Sequence, residues 1–276
     1  MDDAVWQEAE AVLGVEDVRE LGVGGQKMVR LVRRDGNECV LKVVGIESDA
    51  PDALRRAQRE VELLKALDSD HVVKVESDLV EIGNPVVGAS WLEEYLDGVD
   101  LADELGAQWS WDDTRKMGRE VALGLGAMHE VKVVHRDLSA SNVRHVDGGR
   151  YVVMDPGFAR HTLRSGLTVG GQPGTLGFLS PEHLQAYSGS PTPSSDVFCL
   201  GVLMYTALTG NQPIPFTGDP GEYLGRLLDA EIPDVAGIRP DLPAPAVELI
   251  TSMLHPQPAR RPRNGNRVAA LLEDLH

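Results

Sequence analysis

The sequence is short of cysteine, short of positive charge and without a long uninterrupted apolar run. Its two cysteines, Cys39 and Cys199, lie in apolar contexts with no metal-ligand spacing, which excludes a disulfide framework and suits a reducing compartment. Lys and Arg number 26 against 43 Asp and Glu, a formal net charge of −17, so nothing overall draws a polyanion and no nucleic-acid partner is expected. The basic clusters, Arg55-Arg56-Arg59 and Arg260-Arg261-Arg263, read as a solvated helix face and a structural ion pair. The longest uncharged run, Val197 to Gly218, is interrupted by Gly201, Asn211, Gln212, Pro213 and Pro215, and reads as a buried helix with its following loop. Met1-Asp2-Asp3-Ala4 is acidic and unlike a signal peptide. The expectation is a cytoplasmic protein with no membrane anchor, and the oligomeric state stays open.

What is present is ordinary globular material, 42% apolar and 25% charged, in a length comfortable for two lobes. Residues 2–13 have the spacing of a short amphipathic helix. A glycine-broken strand follows, Leu21-Gly22-Val23-Gly24-Gly25-Gln26-Lys27-Met28-Val29, and then a hairpin through Asp35-Gly36-Asn37 into Cys39-Val40-Leu41-Lys42-Val43-Val44. Residues 52–67 have helical period, and 71–82 and 86–92 read as strands. Beyond Asp97-Gly98 the pattern predicts helices over 99–106, 112–130, 181–187, 195–209, 220–229, 244–254 and 264–275, with short strands at 143–146 and 151–154. The fold class expected is α+β: a small antiparallel-sheet lobe over 1–95 and a larger helical lobe over 96–276.

Two strand patterns each deliver a carboxylate into a loop: Val133-Val134-His135-Arg136-Asp137-Leu138-Ser139-Ala140-Ser141-Asn142, and then Asp155-Pro156-Gly157. The grouping offers one carboxylate to orient a hydroxyl, plus an amide oxygen and a second carboxylate for hard cations, which is what phosphoryl transfer needs. Taken with the glycine-rich turn, Lys42, Glu60, the Glu94-Tyr95-Leu96 segment and Ser180-Pro181-Glu182, the order of motifs resembles the eukaryotic-type (Hanks-type) serine/threonine protein kinase superfamily over nearly the whole chain, in the style of a single bacterial kinase domain.

The resemblance implies a bilobal protein-kinase-like fold, ATP and Mg²⁺ as cofactors, and serine or threonine hydroxyls of proteins as acceptors. It places Gly22, Val23, Gly24, Gly25, Val29 and Val40 around the nucleotide, with Lys42 on the α- and β-phosphates and Glu60 fixing Lys42. A buried lysine needs such a counter-ion, and the rival Glu62 points about 200° away on its helix. By the same resemblance Glu94 and Leu96 recognise adenine and Arg144 lies beneath it, Asp137 orients the hydroxyl, and Asn142 and Asp155 bind Mg²⁺. Arg136 serves a phosphorylated activation segment, with Thr162, Ser165 and Thr168 as its candidate acceptors. Thr175 belongs to the peptide-docking end, Glu182 pairs with Arg261, and Asp196 ties down the catalytic loop. The other histidines, including His71, His129 and His255, read as surface or core fillers.

Several positions depart from the family pattern. Lys27 stands at the third glycine, Glu93 (or, with a slip of one residue, Leu92) at the back of the nucleotide pocket, and Arg144 where an apolar residue is usual. Ser139 stands where serine/threonine kinases carry a lysine, and Pro156 replaces an aromatic. Losing one transition-state cation costs about 3–4 kcal/mol, so the sequence predicts a slow enzyme, or one with a cation recruited from elsewhere, and not a dead one. Two other readings stand beside the kinase: a nucleotide-binding or scaffolding pseudokinase, and a kinase of a small molecule.

Overall fold

The alternating pattern after residue 15 folds into a meander whose register places every chemically interesting side chain of the first third. In the computed structural model, which describes residues 3–24, 27–46, 52–156, 177–184, 191–229 and 231–275, the chain forms two compact units. The first comprises residues up to Asp68 together with Val73–Asp97, and the second Ser69–Val72 together with everything from Gly98 onward.

Unit 1 is a five-stranded antiparallel sheet. Strands β1 (Glu16–Gly24), β2 (Lys27–Arg34), β3 (Asn37–Gly45), β4 (Val80–Ile82) and β5 (Gly88–Glu94) run in the order β1-β2-β3-β5-β4. The β2–β3 turn is Asp35-Gly36 with φ of 50° and 84°, positive at both central residues, a geometry that suits the right-handed twist of a hairpin. Because side chains alternate, Cys39, Leu41 and Val43 of β3 face one way and pack with Trp6, Ala9 and Leu13 of helix α1 (Asp3–Leu13). Lys42 and Val44 face the other way, toward the side where Ala57 and Val61 of α2 (Asp52–Lys65) cluster with Ala89 and Trp91 of β5.

Unit 2 holds a three-stranded sheet, β6 (Gly98–Asp100), β7 (Val143–Val146) and β8 (Arg150–Val153), and most of the helices. These are α3 (Leu101–Glu104), α4 (Trp111–Glu130), α5 (Pro193–Thr209), α6 (Pro220–Leu228), α7 (Val235–Ile238), α8 (Ala244–Met253) and α9 (Gly265–Glu273). Helix α5 is apolar nearly all round and is buried from Ser194 to Thr209, so it forms the axis of the core. Its ends are well defined. Thr192 and Ser195 form a capping box, and Gly210 closes the helix at a φ of 74°. Among the described residues, no helix is long and apolar enough to cross a membrane.

The local readings fail where tertiary contacts override pattern. The run 71–82 is a strand only over Val80–Ile82: His71 instead accepts from Val153 N–H at 3.0 Å in unit 2, and Ser77 Oγ takes the Leu92 amide at 2.8 Å. The helix expected from 99 begins as strand β6, because Gly98, at a φ of 147°, lies so close to the His145 carbonyl that only glycine fits. Pro181–Leu184 is one 3₁₀ turn, and α7 is an element that periodicity did not reveal.

Helices α4 and α9 approach through glycines. A Cβ on Gly265 would press against the Ala122 carbonyl oxygen and the Gly126 amide nitrogen, both backbone atoms that cannot rotate away. Gly265→Ala is therefore expected to cost about 1–3 kcal/mol through overpacking. A lowered thermal midpoint by calorimetry checks this; an unchanged midpoint means the α4–α9 contact is looser than described.

Candidate active site

The β7–β8 hairpin brings Asn142 and Asp155 of unit 2 to one end. Val143 pairs with Val153, and Met154 N–H donates to the Asn142 carbonyl at 2.9 Å, so Asn142 and Asp155 leave the hairpin at the same end. Asn142 closes a 3₁₀ turn, Ala140–Asn142, and its Nδ2 donates to the Asp137 carbonyl at 2.7 Å. With the amide nitrogen committed to Asp137, Oδ1 is the side of Asn142 left for a cation. The Asp137 carboxylate, 8% exposed, lies 3.4 Å from the same Nδ2.

A buried histidine couples these two carboxylates. His135 Nδ1 accepts from the Asp137 N–H at 3.2 Å, which puts the ring proton on Nε2, and Nε2 donates to the Met154 carbonyl at 2.9 Å. One imidazole thus spaces the backbone at Asp137 from the backbone immediately before Asp155. Arg136 and Asp155 have φ of 67° and 49°. Each non-glycine residue in that region carries about 1–3 kcal/mol of strain that surrounding bonds must offset.

The offsetting bonds converge on Asp196, fully buried near the start of α5. Its Oδ2 accepts from His135 N–H at 2.8 Å and from His129 Nε2 at 2.9 Å, and its Oδ1 accepts from Arg136 N–H at 2.9 Å. His129 is oriented in turn by Gly265 N–H, which donates to Nδ1 at 3.1 Å. Burial alone would raise the pKa of Asp196; the hydrogen bonds from His129 and the Arg136 amide outweigh it and hold the carboxyl below its ordinary value.

Glu182 and Arg261 form a second buried station. Arg261 Nη1 and Nη2 bond the two Glu182 oxygens at 2.8 and 3.1 Å, and Ser195 Oγ donates to Glu182 Oε1 at 2.9 Å. The remaining Arg261 donors reach the carbonyls of Ser194, His255 and Pro256, and its guanidinium lies 4.8 Å from the Phe198 ring centroid.

Lys42 in unit 1 is ion-paired with Glu93, and both side chains are nearly inaccessible. Glu93 also accepts from Trp91 Nε1 at 2.9 Å. Removing one member of such a pair strands a buried charge at about 3–5 kcal/mol. Glu60 is buried on α2, and Glu62 is exposed. The backbones of Gly22, Val23 and Gly24 end β1, with Gly24 opposite Lys27, while Val29 and Val40 are half-buried beside Lys42 and Glu93 in the ladder. Glu94 is tied to Lys74, N–H to carbonyl and carboxylate to N–H, each at 2.9 Å, and Leu96 is buried. Arg144 directs its head to Asp100 across the β6–β7 pair at 2.7 Å. Gly25, Thr162, Ser165, Thr168 and Thr175 lie outside the described residues.

Beside the Asp137 loop, unit 2 opens a cavity of about 370 Å³ lined by Ser139, Ser141, Leu105, Phe178, Thr206 and Gln212 among others. Among the described residues, none that lines it carries a charge. The Ser139 hydroxyl, 2% exposed, has no hydrogen-bond partner among the described residues.

The donor set was tested for a cation. Among the described residues, no three or more His, Cys, Asp and Glu side chains form a metal cage. Asp155 and Asn142 offer two hard oxygens at one end of a hairpin, which suits a divalent cation that completes its shell with water and phosphate oxygens. Sequence reasoning passed over His129 and His135 as positioning groups and over Glu93 as a counter-ion. Only for His135 was there a local signal, its place two residues before Asp137.

Glu182 also has its pKa held below the ordinary carboxyl value: burial pushes it up, and the Arg261 and Ser195 bonds more than compensate. A folded-state pKa below the unfolded one means stability that is complete above the unfolded value, about 4, and is lost as pH falls through the folded one. Glu182→Gln is expected to cost about 3–5 kcal/mol at neutral pH, because Arg261 is left buried and uncompensated, with the deficit shrinking below about pH 4. Thermal midpoints of both proteins across pH check this; parallel curves would show that the pair contributes no pH-dependent stability.

The chain matches the family described as Protein kinase domain over residues 15–271. It is 31% identical to the Corynebacterium efficiens protein named serine/threonine-protein kinases drp72, over 97% of this chain and 52% of that one. It is 33% identical to a probable serine/threonine-protein kinase, PkwA, of Thermomonospora curvata, over 93% of this chain and 34% of that one. With PknA of Corynebacterium glutamicum, also named a serine/threonine-protein kinase, identity is 30% over 90% of this chain and 53% of that one. The chain spans about half the length, or less, of these curated relatives. With a family match from residue 15 to 271, a five-stranded antiparallel sheet and a helical unit carrying the Asp137–Asn142 loop, the chain belongs to the protein kinase domain family.

Proposed function

We propose that the chain is a serine/threonine protein kinase that moves the γ-phosphate of ATP, with Mg²⁺, to hydroxyls of protein substrates. The observation that carries this reading is the Asp137–Asn142 loop, whose backbone is pinned by Asp196 while its side chains point to the end of the hairpin that also presents Asp155. Phosphoryl transfer asks a protein chiefly for positioned charge, and this loop is positioned by a buried carboxylate with no freedom to move.

In this reading Asp137 orients the acceptor hydroxyl and takes its proton as the oxygen–phosphorus bond forms, while the bond from the γ-phosphorus to the bridging oxygen breaks and ADP leaves. Asn142 Oδ1 and the Asp155 carboxylate hold the cation, while Asn142 Nδ2, bonded to the Asp137 carbonyl, keeps the two roles in register. A divalent cation bound there neutralises charge on the phosphate oxygens. Lys42 holds the α- and β-phosphates, and Gly22 and Gly24 let backbone N–H groups approach them. The cavity beside Ser139 accepts an uncharged side chain of the substrate segment, since its described lining residues offer a basic one no counter-ion.

Labelled phosphate transfer from ATP is expected for the wild type, with Asp137→Asn and Asp155→Ala each reducing it by about a thousandfold or more. Wild type that binds ATP but labels neither itself nor any protein would make the chain a pseudokinase, and transfer confined to small molecules would place it with small-molecule kinases. A second test addresses the missing cation. Ser139 borders the cavity, so a lysine there has room to extend; Ser139→Lys is expected to raise kcat about tenfold or more. No gain in kcat would show that the charge is supplied from elsewhere.

A further inference from the structure

Lys42 is held by a carboxylate that the strand register delivers to it. β3 and β5 pair Lys42 with Trp91 and Val40 with Glu93, so Glu93 is the diagonal neighbour of Lys42 on the same face of the sheet. The Glu93 carboxylate is used on both sides: Oε2 pairs with Lys42 Nζ, and Oε1 accepts from Trp91 Nε1 at 2.9 Å. Trp91 is itself fully buried in the cluster with Ala57, Val61 and Ala89, so the indole has no room to swing.

The backbone around Glu93 is fixed as well. Residue 93 bridges to Val75, the Leu92 carbonyl accepts from Glu76 N–H at 2.8 Å, and Glu94 N–H donates to the Lys74 carbonyl at 2.9 Å. The Lys42 and Glu93 side chains are 4% and 3% exposed, so water screens the pair little. A glutamate clamped by an indole, a strand ladder and the 74–76 segment keeps its place, and the flexible lysine stem is the part that adjusts.

We propose that Glu93 is a positioning residue for Lys42, fixing the ammonium from within the sheet and so setting where it meets phosphate oxygens. The pairing stands on geometry alone; its catalytic consequence rests on the kinase reading above. In this arrangement the position of the lysine is set by the β3–β5 ladder and the Trp91 indole. Glutamine at 93 keeps the shape and the oxygen for Trp91 but removes the charge that holds the ammonium.

Glu93→Gln, Glu93→Asp and wild type are compared in two measurements. The first is the rate at which an amine-reactive ester acylates Lys42 without nucleotide at fixed pH, read by mass spectrometry. Glu93→Gln is expected to accelerate it at least about tenfold, because the ammonium loses the carboxylate that holds it in place and shields it from the reagent, and Glu93→Asp is expected to return it to within about threefold of wild type. The second is steady-state transfer from ATP, where Glu93→Gln is expected to lower kcat about tenfold or more while KM for ATP moves less than about threefold.

Should Glu93→Gln not fold, the thermal midpoints of Glu93→Leu, Lys42→Met and the double variant decide. Each single change leaves one buried charge without its partner in this pair, and the double, with two apolar side chains in place of the pair, is expected to regain a substantial part of both losses. An acylation rate within twofold of wild type, or strictly additive losses in the double variant, would overturn the assignment of Glu93 even if the wild type transfers phosphate. The expected acylation change in a protein that transfers no phosphate would uphold the pairing and remove the kinase reading instead.

Discussion

Asp196 is a carboxylate with no access to water, and its burial dictates much of what surrounds it. A charge in that position must be surrounded by donors, and His129, the His135 amide and the Arg136 amide supply them. Two of the three are consecutive backbone groups of the loop that ends in Asp137. The need to satisfy one buried anion is thereby converted into a fixed backbone path, including the left-handed conformation at Arg136. The buried helix α5 supplies the rigid platform, and Gly265 on α9 orients His129 behind it. His135 extends the same constraint to the residue before Asp155.

Unit 1 uses a different device. Its sheet packs an amphipathic helix on each face, and in the face beside α2 it buries Lys42 and Glu93 as an ion pair next to apolar side chains. A buried ion pair gives little net stability compared with two apolar side chains, but each partner is very costly to lose. Such a pair is retained for where it places a charge. Here the two ends of the Glu93 carboxylate are matched to an ammonium and an indole N–H, so the ammonium has one defined place in a sheet whose register is itself fixed by packing on both faces.

The departures in the motif loops acquire physical content from their surroundings. Ser139 is a buried hydroxyl at the wall of a cavity, without a hydrogen-bond partner among the described residues, so serine in place of lysine leaves both a missing charge and an open volume. Arg144 is held by Asp100 across two paired strands, which takes its charge to the side of the hairpin rather than leaving it on an apolar face. The uncharged character of the described cavity lining comes from residues far apart in sequence, from 102 to 215, that only the fold makes neighbours.

The sequence by itself determined the α+β class, the order of the motifs and the identity of the residues with the right chemistry. Hydrophobic alternation, helical period and a few loop spacings are local properties, and one chain carries them without its fold. Short elements such as β6 and α7 were not legible, because Gly98 becomes strand only through its close approach to His145, and Val235–Ile238 is too brief to show a period. The tertiary structure alone decided the partnerships: Glu93 with Lys42, His135 between Asp137 and Met154, His129 behind Asp196, and Glu182 against Arg261. A side chain's chemistry is written in its residue type. Its counter-ion depends on strand register and helix packing, which join positions such as Glu182 and Arg261, 79 residues apart, and no local pattern encodes that choice.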